Sequence, residues 1–193
     1  LILRRQRQMC IRDSSSTDVY HQHALLTTDG LYVWGLPNSL ISSTIKNTNA
    51  FGKITVNGKT DGLPPGVNPN QVKMMFGAYG TLAITTCSGE AWVLSFNGSK
   101  NGDGTAQNAA NNVIWHRVRT SAPGNPTLDN VVAMRGTTNA LFALTSAGKL
   151  YTWGTNTHIN DGSVATNRTY ATEVSVPAGI TPKMIGMTQQ YLS

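Results

Sequence analysis

Short apolar and β-branched runs, four to six residues long, punctuate this chain, and turn-forming Gly, Asn, Asp and Ser separate them. Residues 24 to 35, ALLTTDGLYVWG, and 143 to 154, ALTSAGKLYTWG, spell almost the same unit, and residues 83 to 95, AITTCSGEAWVLS, keep it in weaker form. Aligned on the turn glycine, Gly30, Gly89 and Gly148 stand a constant 59 residues apart. Upstream, VKMMFG (72 to 77) and VVAMRG (131 to 136) keep that spacing, and PKMIGMT (182 to 188) begins a further copy. GKITV (52 to 56), WHRVRT (115 to 120) and TEVSV (172 to 176) close the units. A fixed period marks a repeat architecture in which each copy is one supersecondary unit.

Each copy holds four β-type runs, which predicts one four-stranded sheet per copy. The second and third runs are joined by a short stretch ending in Gly, where glycine supplies the positive φ of a tight hairpin. LFAL and LYVW are apolar on both faces, so both faces of the sheet have to be covered. Small residues, Ala83, Ala143, Ala133 and Gly186, fall where sheets would crowd toward a common axis. Radial packing satisfies all of this. The expectation is an all-β fold, a partial β-propeller of about three four-stranded antiparallel blades. Its units cover about 18–57, 71–120 and 130–177, with the start of another at 181–193. The first unit shows no convincing opening run before His23. A linear β-solenoid repeats at shorter periods and needs no local hairpins.

With 39% hydrophobic and 12% charged residues in 193, the composition suits a strand-and-turn protein. The net charge of +6 is unevenly placed, because LILRRQRQMCIRD sets Arg4, Arg5, Arg7 and Arg12 against Asp13 and so holds half of the excess. That opening lacks strand alternation, helix caps and a signal-peptide core. It resembles translated sequencing-adapter DNA, and residues 1–14 are expected to be non-native, with the propeller in 15–193. A basic arm that binds nucleic acid or an acidic surface is the alternative. The rest carries 11 basic and 8 acidic side chains with no basic cluster interleaved with aromatics, so no nucleic acid is expected as a partner. No apolar run approaches the ~18 residues of a membrane span. With Cys10 set aside, Cys87 stands alone, and neither an internal disulfide nor a Cys metal cluster is expected.

The repeat resembles the RCC1-type (regulator of chromosome condensation) propeller unit. His23-Ala24-Leu25-Leu26-Thr27, Asp29-Gly30 and Trp34-Gly35 match it in the first copy, and Leu144-Thr145, Gly148, Trp153-Gly154 and Asn156 in the last. The middle copy departs, with Leu94-Ser95 where Trp-Gly belongs, but keeps Asn97 and Gly102-Asp103-Gly104. The resemblance covers nearly all of residues 18 to 193 and implies a ring of blades. In the family's nuclear members the ring exchanges guanine nucleotide on a small GTPase. The matching residues here are scaffold residues, so that activity does not carry over.

Candidate chemistry is sparse. NGSKNGDGT (97 to 105) is similar to a calcium loop, but Asn97 replaces the first Asp and Asn108 stands where a bidentate Glu belongs. The corresponding NDG (160 to 162) points to a repeated turn instead. A sialidase-type Asp box fails because no Asp precedes the turn and KLYTW is too long. His21, His23, His116 and His158 lack metal-ligand spacing. No nucleophile elbow or phosphate loop is present. No catalytic, cofactor or metal residues are expected. Trp34 and Trp153 recur at the end of the third run and are expected to pack between blades.

Function in such scaffolds lives on loops held by a rigid ring. The sequence therefore reads as a non-enzymatic binding scaffold that presents polar loops to a protein or glycan partner. The candidate contacts are Asn38, Asn97, Asn101, Asn156, Asn160, Trp92 and Trp115. The alternative is a glycan-processing hydrolase whose catalytic residues lie in further blades. The polar loops and low charge favour a secreted or cell-surface setting. Because the count of blades falls short of a closed ring, residues 15 to 193 alone are expected to expose blade flanks and to self-associate or aggregate.

Overall fold

The computed structural model describes residues 17–18, 22–35, 48–96, 98–105 and 114–186. They form three antiparallel four-stranded sheets, each made by one repeat. Blade 1 consists of β1 (Thr17–Asp18), β2 (Gln22–Thr27), β3 (Gly30–Gly35) and β4 (Thr48–Lys53). Blade 2 is β5 (Val72–Ala78), β6 (Thr81–Thr86), β7 (Ala91–Ser95) and β8 (Trp115–Arg117). Blade 3 is β9 (Val131–Gly136), β10 (Ala140–Thr145), β11 (Leu150–Thr157) and β12 (Thr166–Glu173). Strand order in each sheet is sequence order, and the first strands β1, β5 and β9 adjoin from blade to blade. This is the partial propeller that the repeat predicts.

Identical turn chemistry in blades 2 and 3 explains the recurring spelling. The Gly89 amide donates to the Thr86 carbonyl (2.9 Å) and the Gly148 amide to that of Thr145 (3.0 Å). The same threonine hydroxyls accept from the amides of Glu90 (3.0 Å) and Lys149 (3.2 Å). Both glycines sit in the left-handed region, at φ 84 and 76, where a side chain would be strained. Blade 1 uses a tighter turn, Thr28-Asp29, with Gly30 already paired to Thr27. Leu31, Ala91 and Leu150 are therefore the equivalent first residues after the turn, and Tyr32, Trp92 and Tyr151 follow them.

Successive apolar side chains split between two cores. Leu82, Ile84 and Leu94 of blade 2 pack against Ala24, Leu31 and Val33 of blade 1. Ala83, Ala91 and Val93 pack against Leu141, Ala143 and Trp153 of blade 3. Blade 2 is thus covered on both sides, as its unbroken apolar runs require. Ala78, Ala83 and Ala91 line the second seam on the blade 2 side, opposite the fully buried Trp153.

Three expectations change. The first blade does have an opening strand, the short β1, which pairs Thr17 with Ala24 and Asp18 with His23. The fourth strands of blades 1 and 3 start earlier than GKITV and TEVSV suggest, at Thr48 and Thr166. Polar TNRTYATE pairs with the extended β11 through two irregularities, and those break the apolar alternation that would reveal a strand. Cys87 is disulfide-bonded, against the expectation that it stands alone. Residues 1–14 lie outside the described residues, and no helix among the described residues is long and apolar enough to cross a membrane.

Candidate functional site

On the rim formed by the hairpin turns, each blade repeats one arrangement: an aromatic on the third strand faces a charged residue on the fourth. In blade 1 Tyr32 pairs across the ladder with Lys53, whose ammonium lies 5.9 Å from the ring centre. The Tyr32 hydroxyl and Lys53 both donate to Asp29, at 2.9 and 3.2 Å, and the Thr27 hydroxyl donates to it as well. Hydrogen bonds from Thr27, Tyr32 and Lys53 hold the Asp29 carboxyl at a pKa of about 2.

In blade 2 Trp92 pairs with Arg117, whose guanidinium carbon lies 5.7 Å from the indole centre. Arg117 donates to the Ala91 carbonyl (3.0 Å), pairs with Asp129, and has Glu90 at 3.8 Å. Burial lowers its pKa, and Asp129 and Glu90 oppose that shift. In blade 3 Tyr151 pairs with Glu173, which also binds Lys149 at 3.0 Å. Burial and then the Glu173 charge raise the Tyr151 pKa. Beside this last unit opens a shallow pocket of about 440 Å³, lined by Lys149, Leu150, Glu173, Val174 and Val176.

The opposite rim carries the connections between third and fourth strands, where most of the sequence candidates fall. Asn38 and Asn97 lie outside the described residues. Asn156 and Asn160 are exposed, both with positive φ, and the Asn160 amide donates to the Ser175 carbonyl at 2.9 Å. Asn101 is buried instead, its amide directed at Thr105. Trp115 is not an exposed anchor: it is 3% accessible, and its indole donates to the Gly62 carbonyl at 2.8 Å. Trp92 is half-buried within the rim unit already described.

The segment 98–105 acts as a clamp between blades 2 and 3. The Trp153 indole donates to the Lys100 carbonyl at 2.9 Å, and the Gly104 amide to that of Thr169 at 3.0 Å. Lys100 is fully buried, donates to the Tyr79 carbonyl at 2.7 Å, and has its pKa lowered by burial to about 8. Asp103 receives bonds from the amide and hydroxyl of Thr105 (3.0 and 2.6 Å) and meets His116 Nδ1 at 2.7 Å. Thr105 reaches that same ring nitrogen, at 3.3 Å. A catalytic relay needs acid and nucleophile on opposite nitrogens, so this cluster ties the loop to β8 rather than activating a hydroxyl. Of the rim residues the sequence singles out only Trp92 as a contact; the rim pattern joins residues 21 to 25 apart in sequence and emerges only once strand register is fixed.

No family model matches the sequence, and no curated protein matches it. Solved structures do. Human WBSCR16 superposes with a TM-score of 0.58 at 16% identity, over 84% of this chain and 39% of that one. Prp20p of Saccharomyces cerevisiae, described with its binding to Gsp1p and histones, gives 0.58 at 13% over 86% and 39%. The complex of Kap60 with yeast RCC1 (Prp20) gives 0.54 at 14% over 90% and 40%. The fold is that of a β-propeller. It is RCC1-like in kind, and the chain spans about two-fifths of the length of these structures.

Proposed function

We propose that the chain is part of a non-enzymatic, RCC1-like scaffold that binds a protein partner, and that the hairpin rim is the docking surface. The observation that supports this most is the threefold aromatic–charge unit at Tyr32, Trp92 and Tyr151. Aromatics with an apolar body and a polar handle, ringed by exposed charge, are the residue types that dominate protein interfaces. Solved neighbours of the same fold are described with protein partners. The other rim presents Asn156 and Asn160 as a second, polar surface.

The test is an affinity enrichment with the purified chain against a Tyr32→Ala/Tyr151→Ala variant, followed by titration of each retained protein in purified form. The reading expects a partner bound with micromolar or tighter affinity and weakened at least tenfold by the rim variant. A partner that binds both forms equally would move the surface elsewhere. Turnover of glycoside substrates by the chain would favour the hydrolase reading.

A further inference from the structure

Three Asn-Gly pairs occur in the chain, at 57–58, 97–98 and 101–102, and the structure describes both residues of the first and the last. Asparagine before glycine is the pairing most open to attack by its own backbone, because no side chain on the glycine hinders its amide nitrogen from reaching the asparagine Cγ. The two described pairs have opposite surroundings.

Asn57 and Gly58 are both exposed and form the centre of a tight turn, at φ 52 and 74. The flanking Val56 and Lys59 close it, each amide donating to the other's carbonyl at 3.1 and 2.9 Å. Nothing lies within 4 Å of a Cβ built on Gly58, and no described residue accepts from its amide. Asn57 Oδ1 accepts the Trp115 backbone amide at 2.9 Å. When the Gly58 nitrogen adds to Cγ, negative charge develops on that oxygen, and a donor already aimed at it stabilises the charge. Asn101 is 1% accessible, and its Oδ1 has no hydrogen-bond partner among the described residues. A Cβ at Gly102 would lie 2.8 Å from the Trp153 indole nitrogen, and the Gly102 carbonyl accepts the Arg119 amide at 2.8 Å. That second pair is therefore shielded from water and pinned by its neighbours.

We propose that Asn57-Gly58 is a self-modifying site, which deamidates through a cyclic imide while Asn101-Gly102 stays intact. The Gly58 nitrogen gives its proton to solvent and bonds to Asn57 Cγ. The bond from Cγ to Nδ2 then breaks, and ammonia leaves with a proton taken from water. One water molecule opens the ring at either carbonyl and gives aspartate or isoaspartate. The net change is amide plus water to carboxylate plus ammonium, with no oxidant or reductant. Isoaspartate adds a methylene to the main chain in the middle of the turn, so the paired Val56 and Lys59 bonds and the side-chain tie to Trp115 no longer fit together. The turn belongs to the segment joining blades 1 and 2, and Trp115 opens the fourth strand of blade 2. Conversion to isoaspartate therefore loosens that segment from blade 2.

Timed incubation of the 193-residue chain at mildly alkaline pH, with peptide mapping by mass spectrometry, tests this. In the folded chain Asn57 is expected to convert about tenfold faster than Asn101 or more, and in urea the two are expected to convert at similar rates, since the fold is what separates them. As isoaspartate accumulates at 57, the Trp115 backbone amide is expected to exchange its hydrogen faster than in the fresh chain. An Asn57 that converts in urea but keeps its amide in the folded chain overturns the proposal. So does an Asn101 that converts as fast as Asn57 in the folded chain, or Trp115 exchange that is unchanged once isoaspartate has formed.

Discussion

Replacing Trp153 by alanine is expected to cost about 4 kcal/mol, the range for removing a buried tryptophan, and to leave the Lys100 carbonyl without its indole donor. Against the ~5–15 kcal/mol stability of an ordinary domain, that shifts the urea midpoint far down. Trp34→Ala removes the same residue type from the same repeat position, where the ring is partly accessible and meets His23 and Phe51, and its cost is expected to stay within about 1 kcal/mol. Urea unfolding of the two variants side by side measures the contrast. Equal losses would mean that the second seam is not where the chain is held together.

Lys100→Met is expected to stabilise the chain near neutral pH. Lys100 is fully buried, its one described hydrogen bond goes to a neutral carbonyl, and burial lowers its pKa from 10.5 to about 8. Below pH 8 both folded and unfolded states carry the proton, and the folded state bears the full cost of the buried charge. Between pH 8 and 10.5 the unfolded state still binds the proton and the folded state does not, so stability rises with pH. The shift corresponds to about 3 kcal/mol over that window. Tyr32 and Tyr151 work in the opposite direction, because their raised pKa values let the folded state hold protons that the unfolded state loses. Subtracting the variant's profile from the parent's isolates Lys100. The advantage of Lys100→Met should be largest at pH 7, reduced by the loss of the bond to Tyr79, and should shrink as pH rises to 10.5. A constant difference across that range would show that the ammonium is not the source.

The blades were legible because their signals are local. The turn threonine and glycine, the small residues of the second seam and the apolar runs all lie within one hairpin, and a 59-residue period repeats them. The fourth strands were only partly legible, since β12 is polar and irregular, and register rather than hydrophobicity places Thr172 and Glu173 opposite Thr152 and Tyr151. Burial of Trp115 and Asn101 was not legible at all. Trp115 bonds to Gly62, on the segment joining blades 1 and 2, and no local pattern encodes that contact. The rim units combine residues from the third strand, the fourth strand and the turn, so their recurrence shows only when blades are compared in space. Lys100 reads in sequence as one more polar loop residue, and only the arrival of β11 and β12 over its loop buries it.

The central claim is that one repeat unit builds equivalent blades, in which Trp34 and Trp153 share one repeat position and differ in how far neighbouring residues cover them. Hydrogen exchange of the four tryptophan indole N–H groups, followed by NMR on dilute 15N-tryptophan-labelled protein, tests it most directly. The account predicts that the N–H groups of Trp115 and Trp153 exchange only through global unfolding, while that of Trp34 exchanges orders of magnitude faster. Equal exchange at Trp34 and Trp153 would contradict it.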